Sequence, residues 1–181
     1  TEVNMSTGTH STNDSGINTD TILAEANFDT AIASGTTGSF KINGATIEWD
    51  ADEDTLSSII SSINASDAGV TAFYEESLDR VVFTSDSTGS EEIQWEDVEG
   101  TFLADTLNLS GVTQTTGDDA LFTINSTDSA DEITKSSNQF TINGLQISLK
   151  QTTVANDSYS DTDTTSVLVS SVKDESALKA K

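Results

Sequence analysis

The sequence predicts an α+β, mainly β fold, organised as two small β-rich modules of antiparallel hairpins with short helices. The first observation is a repeated phrase, Phe-x-Ile-Asn, at residues 40–43, 122–125 and 140–143. Two copies run into Gly, at Gly44 and Gly144, and each Asn-Gly is followed by a second alternating run, at 45–49 and 145–150. Asn-Gly favours a two-residue type I′ turn because both central residues need positive φ. The second observation is a helical period: Leu56, Ile59, Ile60 and Ile63 fall at i, i+3, i+4 and i+7 and so share one face. The third is another pair of strand-like runs, 69–74 and 80–85, joined across residues 75–79.

Taken in chain order, residues 1–20 are mostly Thr, Ser, Asn, Asp and Gly and are expected to begin as a mobile tail. The single His, His10, falls there, where a solvated role is expected. The rest of residues 1–37 is expected to pack on the second module. Residues 38–117 form the first module, a ββαββ unit whose helix covers one sheet face. Its expected core is Phe40, Ile42, Ile47, Val70, Val82 and the Leu56/Ile60 side of the helix. Asp52, Glu53 and Asp54 precede that helix, where carboxylates can accept from its orphan N–H groups for about 1 to 2 kcal/mol. A short helix is expected within 101–111, capped by Thr101 and ended by Gly111. Residues 118–172 form the second module, closing with a strand at 164–172, and 173–181 turn helix-forming and Lys-rich. Because residues 17–36 precede the first module while the second follows residue 117, the first is expected to be inserted into or beside the second.

Composition removes several function classes. With 31 acidic against 7 basic side chains the formal charge is −24, which repels nucleic acid and anionic membranes. No cysteine is present, so disulfides, thiolate metal sites and a Cys nucleophile are excluded. No apolar run approaches the roughly 20 residues a bilayer span requires, and residues 1–20 lack the basic and apolar regions of a signal peptide.

Residues 42–64, from Ile42-Asn43-Gly44 through the acidic 50–54 to Ile63-Asn64, followed by Gly69-Val70-Thr71-Ala72, resemble the IN motif of bacterial flagellar axial proteins. In that motif a hairpin leads through an acidic turn into a short helix ending in Ile-Asn, then a Gly-Val-Thr-Ala strand. Further on, Phe102-Leu103 with Leu107 and Leu109, the Phe122-Thr123-Ile124-Asn125 strand, Ile133-Thr134-Lys135-Ser136-Ser137-Asn138 and Leu145 to Lys150 are similar to the filament cap family, hook-associated protein 2. Lys135 stands where that family commonly has Arg, and Asn125 lacks the usual following Gly. The resemblance covers residues 20–172. It implies an outer-domain fragment of a cap subunit, with residues 173–181 starting a helical stalk and partner helices preceding Thr1. It also implies a homo-oligomer at the extracellular flagellum tip that guides flagellin into place, without covalent chemistry or cofactor.

Rival chemistries leave few candidate residues. Among so many carboxylates a pair at glycosidase spacing is uninformative, and no nucleophile elbow, metal-spaced His pair or phosphate loop is present. Asp50, Asp52 and Asp54 alternate as a calcium loop begins, but the sixth position is Thr55 and the twelfth Ser61, where an EF-hand needs Gly and Glu. No catalytic, cofactor-binding or metal residue is therefore assigned. Two other readings are a variable outer domain of a flagellin and a surface adhesin that binds host glycan or mucin. The adhesin reading needs an uncovered ring such as Trp49, Tyr74 or Trp95; Trp49 and Trp95 are otherwise expected in the core or at a module interface.

Overall fold

The computed structural model describes residues 2–8, 16–124 and 128–149. His10, the turn after Ile124, the strand expected at 164–172 and the segment 173–181 lie outside them. In chain order the elements are β1 (Glu2–Ser6), β2 (Thr37–Ile42), β3 (Ala45–Asp50), α1 (Leu56–Ala65), β4 (Val70–Glu75), β5 (Arg80–Thr88) and β6 (Trp95–Glu99). A π-helical turn (Phe102–Thr106), β7 (Ala120–Phe122), a 3₁₀ turn (Ser129–Asp131), β8 (Ile133–Lys135), β9 (Gln139–Ile142) and β10 (Leu145–Ser148) follow. The fold is α+β and mainly β, in small antiparallel sheets.

Both Asn-Gly turns have the backbone their chemistry requires. Asn43 and Gly44 sit at φ 46° and 86°, Asn143 and Gly144 at 49° and 81°. The tight turns set the registers of β2 on β3, with Phe40 opposite Ile47, and of β9 on β10, with Phe140 opposite Ile147.

The four strands around α1 do not make one sheet. The β2–β3 hairpin is extended by β6, and the β4–β5 hairpin is extended by β1, giving two three-stranded sheets. Helix α1 packs against both β4 and β3, and one hydrophobic cluster runs through both sheets. A helix with a broad apolar face satisfies two thin sheets at once, which a ββαββ pattern alone does not reveal. The expected tail is therefore partly strand: Val3 and Met5 alternate into the core, 1% and 2% exposed, while β1 pairs with β5 some 80 residues away.

Phase within two elements also differs from expectation. On β5 it is Val81 and Phe83 that are buried and Val82 that stands half-buried on the other face. On α1 the buried side chains are Leu56, Ile59 and Ile63, with Ile60 at the margin. In each case two neighbouring apolar residues compete for one inward position, and the sheet that is met decides between them.

Residues 16–36, expected on the second module, bond instead to the first. Leu23 N–H donates to Asp54 O and Ala24 N–H to Ala51 O, at 2.8 and 2.9 Å, and Ser57 N–H donates to Thr19 O at 2.9 Å. Leu23, Phe28 and Ile32 bury their side chains in the same core cluster, which is the physical reason the segment docks there. Past β6, the expected helix is one π turn in which Leu107 N–H reaches Phe102 O at 2.8 Å. Thr101 makes no side-chain cap. The Asp97 carboxylate, from β6, does so, accepting from Leu103 N–H and Ala104 N–H at 2.9 Å each. Gly111 lies beyond the turn's end at Leu107.

Candidate functional site

The two Ile-Asn pairs show why that dipeptide recurs. Ile42 and Ile63 are wholly buried, and each following Asn turns its amide on backbone that would otherwise go unpaired. Asn43 donates from its side-chain NH₂ to Ala68 O at 2.8 Å and accepts from Gln94 N–H at 2.9 Å. It thereby ties the first hairpin to the approach of β4 and to the entry of β6. Asn64, at the end of α1, pairs with both groups of Ala72, donating to its O at 2.9 Å and accepting from its N–H at 2.6 Å. A primary amide is the side chain that can imitate a neighbouring strand's peptide in this way.

Between them lies the acidic turn, where each Asp has a structural partner. Asp50 accepts from Asp52 N–H, Asp52 from Gly35 N–H, and Asp54 from Asp50 N–H, at 2.8 to 2.9 Å. The second Asp54 oxygen accepts from the Ser58 hydroxyl at 2.8 Å. These carboxylates do not cap α1 as expected. Thr55 does, in a capping box with Ser58: Thr55 Oγ1 accepts from Ser58 N–H and Ser58 Oγ from Thr55 N–H. A Thr at N-cap has the extended backbone that places its oxygen over the N3 amide, whereas the Asp residues fold the turn before it. Among the described residues no group of three or more His, Cys, Asp or Glu could hold a metal ion.

Of the three candidate platform rings one is buried and two are partly covered. Trp49 is 5% exposed and packs at 5.3 Å on Phe102, which stacks in turn on Phe40 at 5.7 Å. Trp95 is half-buried against the core, opposite Ile42. Tyr74 is also half-buried, its hydroxyl accepting from Ile17 N–H at 2.7 Å and donating to Asp79 Oδ1 at 2.6 Å. Burial, then the hydrogen bond to Asp79, pushes the Tyr74 pKa up to about 12. At the neighbouring turn, the Ser77 hydroxyl and N–H donate to Glu75 and hold its carboxyl below the usual range. The acidic surface groove between Thr37, Ser39, Glu48, Asp50 and Glu99 is open and polar, about 390 Å³ in volume. An apolar ligand would find little there to bury against.

The segment containing both Ile-Asn clamps, the acidic turn and the capped helix, residues 34–87, matches the family described as the flagellin hook IN motif. This chain carries an IN motif. A stretch of 72 residues is also 49% identical to flagellar hook-associated protein 2 of Thermotoga maritima, covering 40% of this chain and 12% of that protein. The chain thus spans a small part of the curated relative it matches. In fold it is similar to the D2-D3 domains of the flagellar cap protein FliD from Escherichia coli, with a TM-score of 0.58 at 20% identity over 86% of this chain and 79% of the other. The D2-D3 domains of the cap protein from Serratia marcescens give 0.51 at 18% identity, over 84% and 81%. The resemblance to the cap family therefore stands, in sequence over part of the chain and in fold over most of it.

Around the IN motif, two contributors carry no local sequence signal. Asp97 reaches the π turn only because β6 returns beside β2, and Gln114 clamps Ile93 by both backbone groups at 2.8 Å across 21 residues. Asn43 and Asn64 were visible as motif letters, but their amide partners were not.

Proposed function

We propose that the chain is an outer portion of a bacterial flagellar filament cap subunit, a structural protein of motility with no catalytic chemistry. The observation that carries this reading is the 49% identity to hook-associated protein 2; the IN motif and the cap-like fold support it. In that role the full subunit would associate with copies of itself at the extracellular tip of the filament and guide flagellin into place. The modular division follows the same reading, with residues 38–117 around the IN motif, joined by β1 and residues 16–36, and 118–172 as the second module. A glycan or mucin platform is disfavoured by the engagement of Trp49, Trp95 and Tyr74, and the flagellin variable-domain reading by the identity to hook-associated protein 2.

The test is complementation in a motile bacterium lacking its own cap gene, using the full-length protein that carries this segment. Filament growth at the hook should return. Secreted but unpolymerised flagellin, with the protein exported at normal levels, would sink the proposal.

A further inference from the structure

Hydrogen bonds between residues 2–117 and 118–149 gather at the end of β5. There the Thr88 hydroxyl donates to Ser136 O at 2.8 Å. Two residues on, the Asp119 carboxylate accepts from the Ser90 N–H and from the Ser90 hydroxyl, at 2.9 Å each. Gly89, between them, sits at φ +119°, and a Cβ on it would come within 2.8 Å of both Asp119 Oδ1 and Ser136 Cβ. The approach is as close as it is because residue 89 has no side chain.

Among the described residues no apolar seam reinforces these bonds. Among residues 118–149 no described hydrophobic side chain is buried, and the core cluster ends at Leu109. The latch bonds are solvent-exposed, so water can replace them at small net cost. Most of the charge flanking the junction is of one sign, Asp86, Glu91 and Glu92 on one side and Asp118 and Asp119 on the other, against a single cation, Lys135, opposite Ala120. The repulsion between these carboxylates reaches about 30 Å at 0.01 M salt and about 3 Å at 1 M.

We propose that Gly89 is the pivot of a salt-sensitive hinge, latched by Ser90–Asp119 and Thr88–Ser136, about which the 118–149 strands swing away when their charge is not screened. Repulsion works against the latch at low ionic strength; screening leaves the hydrogen bonds to hold it closed. The inference concerns the relative placement of the two parts and stands independently of the cap assignment.

The chain has no cysteine, so a spin-label pair at Ser62→Cys on α1 and Thr134→Cys on β8, both exposed positions, reports the hinge in the full chain. Pulsed EPR should give one narrow distance at about 1 M salt and a second, longer population at about 0.01 M. Gly89→Val and Asp119→Ala should each populate the longer distance even at the higher salt, with the helical circular dichroism of the first module retained. If Gly89→Val unfolds that module, Asp119→Ala decides. A single distance that ignores salt, or an Asp119→Ala distribution identical to the parent's, overturns the proposal.

Discussion

At the scale of single residues, the helix face separates side chains that differ by one position. Ile59 is buried in the core, whereas Ile60 lies at its margin. Ile59→Ala should cost about 2 to 5 kcal/mol in chemical denaturation through lost burial and the cavity left behind. Ile60→Ala should cost clearly less, and Ser61→Val should stay within about 0.5 kcal/mol. Equal costs at 59 and 60 would show the face to be misassigned. Tyr74 offers a test by pH. Its hydroxyl ionises near 12 in the folded chain against an ordinary 10, so the native state holds this proton more tightly than the unfolded one. The sign follows: Tyr74's contribution is complete below pH 10 and is lost as pH rises toward 12. Stability curves of the parent and of Tyr74→Phe should therefore converge across that window. A constant offset would mean that Tyr74 acts by packing alone.

For the elements, the start of α1 and the edge strand β1 carry separate loads. Removing the capping oxygen with Thr55→Ala should destabilise the chain by about 1 kcal/mol and quicken exchange of the Ser58 amide. Asp52→Ala, which removes a partner of Gly35 N–H but not the cap, should leave that amide's protection unchanged. Strand β1 contributes through Val3 and Met5. Deleting residues 1–8 bares the edge of β5 to which β1 pairs and removes Val3 and Met5 from the core; at about 1.5 to 3 kcal/mol for each buried side chain the loss should be roughly 3 to 6 kcal/mol. A deletion variant that melts with the parent would mean that β1 decorates the sheet without stabilising it.

Over the whole molecule, burial is uneven. The first part holds every buried hydrophobic side chain among the described residues, while β7 to β10 form two-stranded sheets joined by the Phe122–Phe140 stack at 4.7 Å. Two-stranded sheets have little independent stability. Amide protons of β7 to β10 should therefore exchange before those of β2, β4 and β5, and well before the transition reported by Trp49 and Trp95, which both lie in the first part. Uniform protection across both parts would contradict this. The charge of −24 sets the association state. In dilute low-salt solution the chain should scatter light as a monomer, since like charges oppose self-contact and weak association is further disfavoured by dilution. A stable ring under those conditions would place the assembly surface within these residues.

Some of the short-range chemistry was legible. Asn-Gly specified both hairpin turns, because the backbone demand of a type I′ turn is local. The 3.6-residue period specified α1, and the order of parts from Ile42 to Ala72 specified the IN motif before any contact was known. What remained illegible depended on partners distant in sequence. Val81 and Val82, like Ile59 and Ile60, are adjacent apolar residues, so periodicity admits either phase until a facing sheet fills one of them. Strand β1 reads as polar tail because Val3 and Met5 are too few to declare a strand, and only the waiting edge of β5 gives them somewhere to bury. Thr55 took the cap from three better-charged neighbours because capping is decided by backbone direction at one residue, and that direction is set by how the acidic turn folds on Gly35 and Asp50. Turns, helix and motif are local and follow from the residues alone; which sheet each hairpin joins is fixed on folding, because hydrophobic burial has no direction until the other surface is in place.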